Sequence, residues 1–128
     1  MRIRKLTLPT SDVSKSVAFF RDLLELPATE SSIRVGWSEI LLVPAIGEPP
    51  RGVHLAFNVG YERFDAAMSW LKQRTPLQRV PESGECAVLE GDWQSKSVYF
   101  DGPDNAVLEL IGRRRLAGSS QTGPFGGS

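Results

Sequence analysis

A single cysteine, a single histidine, no excess of charge and no long apolar run are what this chain of 128 residues first shows. One cysteine, Cys86, excludes an internal disulfide framework and any CxxC pair for zinc, and it fits a reducing compartment. Fifteen basic residues balance fifteen acidic ones. With no net charge there is no long-range attraction to nucleic acid or anionic lipid, so the expected partner is a small neutral molecule or another protein. No stretch approaches the roughly 18 apolar residues of a membrane span, and MRIRKLTLPTSD lacks the apolar core of a signal peptide, so a soluble, cytoplasmic protein is expected. The length is that of about one domain.

What is present is one pattern used twice. Ile3 to Leu8 alternates, with Leu6 and Leu8 on one side and Lys5 and Thr7 on the other, and reads as a half-buried strand ended by Pro9. TSD then supplies helix-capping chemistry, and Val13, Val17, Phe20 and Leu24 recur at helical spacing until Pro27. Two strands, Ile33 to Val35 and Glu39 to Val43, precede a loop from Pro44 to Gly52. The order restarts at Val53 to Val59, where Val53, Leu55, Phe57 and Val59 form one face and His54, Ala56 and Asn58 the other. A second helix follows, with Phe64, Ala67, Met68 and Leu71 at i, i+3, i+4 and i+7, ended by Thr75 and Pro76. Leu77 to Gly91 reads as short strands around a turn from Glu82 to Gly84. Ser97 to Ile111 reads as a hairpin whose Pro103 presets a type I turn completed by Asp104 and Asn105. Two modules, about 1–46 and 52–112, therefore make one domain over residues 1–112. Residues 113–128 read as a flexible tail or linker whose three arginines are a solvated terminus.

Chemistry concentrates on the strand faces that are too polar to receive the helices. Glu109 is a carboxylate on a mostly apolar strand, either pointing into water from a sheet edge or lining a ligand cavity. Alternation predicts that Lys5, His54 and Glu109 share one hollow. An imidazole and a carboxylate suit a divalent metal, or an acid and base couple, but two ligands are too few and an ammonium has no lone pair to donate. The alternative without chemistry is a Lys5 to Glu109 ion pair with His54 hydrogen-bonded beside it. Cys86 has acidic neighbours and reads as an inert thiol. No nucleophile triad and no phosphate-binding loop is recognisable. Trp37, Trp93, Tyr99 and Phe100 either line an apolar pocket, with Trp93 at its rim, or fill the core.

The run LTLPTSDVSKSVAFFRDLLEL, the second-half HLAFNV followed by FDAAMSWL, and the closing YFDGPDNAVLELI together resemble the vicinal oxygen chelate superfamily of glyoxalases, bleomycin resistance proteins and extradiol dioxygenases. The resemblance implies an α+β fold, with paired βαβββ modules forming a cupped mixed sheet and helices on its outer face. It also implies a cavity metal held by a first-strand His, a second-module His and a last-strand Glu. His54 and Glu109 match the second and third of these positions, Lys5 stands at the first, and Asn105 replaces the family glycine of the closing turn. The expected ligand cavity comprises Lys5, Thr7, His54, Asn58, Trp93, Tyr99 and Glu109. Its cofactor state is expected to be metal-free, with a divalent zinc, iron, manganese or nickel ion on His54 and Glu109 as the alternative. The expected function is that of a small-molecule-binding or degenerate member of the superfamily whose cavity lacks a complete metal site. One alternative is a metal-dependent lyase, isomerase or dioxygenase that takes a third ligand from elsewhere, and another is a protein interaction module. The resemblance further implies a homodimer.

Overall fold

The computed structural model describes residues 4–82, 84–89 and 94–114. The described residues divide into two compact units, one of residues 4–53 with Gly102–Asn105, the other of His54–Asp101 and residues 106–114.

In the first unit, β1 (Lys5–Thr10) leads into α1 (Val13–Ala18), a π-helical turn (Phe19–Leu23), β2 (Ser32–Val35) and β3 (Ser38–Pro44). Asp12 begins the helix because its extended backbone lets Oδ1 accept a hydrogen bond from the Lys15 amide at 3.0 Å. The apolar spacing predicts one helix through Leu24. Instead it widens at Phe19 and closes at Glu25, whose φ of 55° is left-handed, two residues before Pro27. The sheet order is β1-β3-β2, with β3 parallel to β1 and antiparallel to β2. Ile33, Ile40 and Leu42 on the sheet and Val17 and Phe20 on the helix are buried, none more than 4% exposed.

Pro9 does not end β1, which runs on to Thr10. Among the described residues this strand lies at the sheet edge and pairs with β3 alone, so a missing amide donor on its open side breaks no ladder bond.

The second unit holds β4 (His54–Val59), a 3-10 turn (Tyr61–Arg63), α2 (Phe64–Lys72), β5 (Cys86–Leu89), β6 (Ser95–Asp101) and β7 (Val107–Arg113). Its order is β4-β7-β6-β5, with β4 parallel to β7 and the other pairs antiparallel. Phe64 and Leu71 of α2 are buried, as are Val98, Phe100 and Leu108 of the sheet. Phe100 is thus a core residue and not part of a pocket wall, as its opposite parity to Tyr99 requires. Gly112 permits the close packing of this layer, since a Cβ there would stand 3.2 Å from that of Phe64.

The two units repeat one topology. In each, the first strand lies parallel to the last, and the last pairs antiparallel with the one before it. The second unit is a βαβββ module, whereas the first has three strands among the described residues, with a single bridge from Ala28 to Ile33 beside them. Among the described residues no helix is long and apolar enough to cross a membrane.

The closing turn departs from the type I geometry set by Pro103. Asp104 and Asn105 both have positive φ, 54° and 62°, as in the primed turns that match the twist of a hairpin. Asp and Asn tolerate this conformation, and the Asp104 carboxylate is held in it. Its Oδ2 accepts hydrogen bonds from Thr10 Oγ1 at 2.8 Å and the Ser11 amide at 3.0 Å, and its Oδ1 accepts one from Ser11 Oγ. These bonds, the Ser11 hydroxyl foremost, hold the carboxyl below the ordinary aspartate range. A folded-state pKa below the unfolded one stabilises the protein above the unfolded value, and this contribution disappears as pH falls through the lowered value. Asp104→Asn keeps the left-handed turn but weakens three charge-assisted bonds. Denaturant unfolding should show a loss of about 1 kcal/mol at neutral pH, modest because the turn is partly solvated, and that loss should vanish in acid.

Candidate functional site

Glu109 lies on β7 between β4 and β6 and is only 8% exposed. It is therefore not an edge residue pointing into water. A buried carboxylate needs partners, and the register supplies them: Tyr99 of β6 is its direct antiparallel partner and Ala56 of β4 its parallel one. Because Ala56 is small, the neighbouring His54 reaches over, and its Nε2 lies 2.9 Å from Glu109 Oε1. A carboxylate can only accept, so Nε2 carries the proton in this bond, and in the neutral imidazole that leaves the lone pair on Nδ1. The imidazole is half exposed, with side-chain accessibility of 50% against 11% for the carboxylate. The cluster thus has a buried anchor and an accessible head.

Tyr99 completes it. Its ring centroid is 6.1 Å from that of His54. Burial pushes the phenol pKa up and the Glu109 charge pushes it further, while the Ser97 hydroxyl opposes both. The phenol accordingly stays a hydrogen-bond donor well into alkaline solution. Asn58, two residues beyond Ala56 on β4, accepts a bond at 3.3 Å from Arg113 Nη1. Arg113 belongs to β7 and is half-buried, not part of a solvated terminus. Its parity with Glu109, four residues earlier, was the signal that it shares this face.

Of the other residues expected in the cavity, two belong to the first unit and one is not among the described residues. Lys5 and Thr7 are exposed on β1 of the first unit, whereas His54, Asn58, Tyr99 and Glu109 all belong to the second. Trp93 lies outside the described residues. Trp37, at the link between β2 and β3, is 59% exposed. The Cys86 thiol is indeed raised, but burial is the main cause, with Lys96 opposing it and Asp65 adding to it. An open depression of about 500 Å³ lined by Arg79, Val80, Pro81, Glu82 and Gly84 contains none of the cluster residues.

His54 and Glu109 are the possible metal donors here, and among the described residues no third His, Cys, Asp or Glu joins them. A catalytic zinc site uses three protein ligands, so this pair does not by itself fit a metal ion.

No family model and no curated protein matches the chain. Solved structures do. Oxidase ChaP-H1 is 24% identical at a TM-score of 0.66, covering 88% of this chain and 96% of its own. A glyoxalase/bleomycin resistance protein/dioxygenase from Nocardioides is 22% identical at 0.64, covering 89% and 84%. An integron cassette protein from the Halifax Harbour Sewage Outfall metagenome is 16% identical at 0.68, covering 87% and 97%. The chain therefore has the α+β fold of these glyoxalase/bleomycin resistance/dioxygenase-like structures.

The cluster makes a spectroscopic prediction. The chain has two tyrosines, Tyr61 and Tyr99, so a Tyr61→Phe background isolates one phenol. Ultraviolet titration should show Tyr99 ionising above the ordinary tyrosine pKa, and adding Glu109→Gln should move the transition down.

Proposed function

We propose that this protein binds a small organic molecule on the second sheet through the side chains of His54, Tyr99 and Glu109, without a metal. The observation that supports this most directly is the hydrogen bond of 2.9 Å between His54 and Glu109. It satisfies the buried carboxylate, orients the imidazole and leaves Nδ1 to accept a proton from a ligand hydroxyl. Tyr99, kept protonated, can donate to an oxygen of the same ligand. Such a pairing holds a polar group by one donor and one acceptor, and it also places an acid and base couple against it.

The same short separation favours a second reading. Two donors this close could chelate a divalent ion if a third ligand came from elsewhere, which would suit a metal-dependent lyase, isomerase or dioxygenase. Purification with added zinc, iron, manganese and nickel, followed by elemental analysis, separates the two. The metal-free reading expects far less than one equivalent of any ion, and no change in His54→Ala. One tightly held equivalent that His54→Ala removes would overturn it in favour of the metal enzyme.

A further inference from the structure

We propose that the outer edge of the second sheet, strand β5 with helix α2 beside it, is a docking surface for a second copy of this chain. Among the described residues β5 pairs with β6 alone, so its other side is an open row of backbone donors and acceptors. Sheet edges are ordinarily kept from joining by charged side chains or proline on the strand. The edge strands of the first unit follow that rule, since β1 carries Lys5 and Pro9 and β2 carries Arg34. β5 reads CAVL and has neither, and its Val88 and Leu89 are exposed. Apolar side chains beside unpaired backbone favour the addition of another strand.

The charge along this edge selects the partner. Asp65 and Lys72 stand seven residues apart on α2, two turns and so on one side of it. Lys96, the register partner of Val88, donates to Asp65 Oδ1 at 3.2 Å. Lys72 donates to Glu85 Oε1 at 2.6 Å, just before β5 begins. α2 therefore runs antiparallel to β5, and its rise of about 10 Å between these two residues matches the roughly 10 Å of strand from Glu85 to Val88. In the first ion pair the carboxylate is the more exposed member, and in the second the ammonium. The edge thus turns a negative end and a positive end to solvent. A two-fold axis through Ala87 reverses the strand, so that Val88 meets Cys86 of the partner subunit and each Asp65 end meets a Lys72 end. One symmetry operation satisfies both charges, which an unrelated strand would match only if it carried the same order.

The interface is small, four residues of strand with two charge contacts, so its dimer should be weak and form in the micromolar range. Sedimentation equilibrium of the full chain should show a monomer and dimer in equilibrium, with association weakened by salt. Val88→Lys, at an exposed position, should raise the dissociation constant roughly tenfold or more. Asp65→Lys and Lys72→Asp should each do the same alone, because each sets like charges face to face. An equimolar mixture of these two variants should associate again, since one presents two positive ends and the other two negative ones. That recovery also shows that both variants fold. A chain that stays monomeric at every concentration would overturn the proposal, as would a dimer that none of these substitutions weakens. Hydrogen exchange tests the edge itself, because one of the adjacent Ala87 and Val88 amides must face its open side. Protection of that amide should rise with protein concentration. Protection that is independent of concentration would overturn the proposal by assigning the edge to residues 115–128 of the same chain.

Discussion

The burial of one carboxylate on a central strand is the constraint around which the second unit is arranged. Taking a carboxylate out of water is costly unless each oxygen finds a partner, and a central strand has neighbours on both sides to provide them. Glu109 has His54 from β4 and Tyr99 from β6. Neither neighbour is close in sequence, and both depend on the register of two strand pairs. A slip of one residue in either pair would turn the partner to the helix-facing side and leave the charge alone.

The internal repeat sharpens this point. Lys5 begins β1 as His54 begins β4, and each strand runs parallel to the last strand of its unit. Register places Thr7 beside Leu41, however, where the second unit has Ala56 beside Glu109. The same scaffold thus carries an apolar residue in one copy and a buried carboxylate in the other. Shared topology transmits positions and not chemistry, which is why the fold alone does not specify a reaction.

Charge was informative in a different way from what composition suggested. A net charge of zero removes long-range steering but says nothing of local fields, and Arg113 and Glu109 stand four residues apart on one strand. What matters to a ligand is whether each charge has already been neutralised by a neighbour. Among the described residues Glu109 is engaged by an imidazole, whereas Arg113 donates to an amide.

Alternation and helical spacing were enough to locate nearly every element, because a strand or helix must turn its apolar side to a core whatever else surrounds it. They also placed His54, Asn58 and Glu109 on the faces turned away from the helices. Pro9 reads as a terminator in the sequence, but its tolerance depends on β1 being an edge strand, which only the pairing reveals. The closing turn departs from its local signal because the left-handed Asp104 is held by Thr10 and Ser11, more than ninety residues away. Arg113 carries no such signal, because the end of a strand and the start of a tail look alike until hydrogen bonds mark the boundary.

The amino-acid order by itself therefore determined which residues are apolar on which side, and so the modules and their repetition. Only the tertiary structure decided that Glu109 is buried rather than at an edge, and which side chains meet it. Periodicity is a property of one segment, while strand order and register are properties of pairs of segments, and the cluster exists only through the latter.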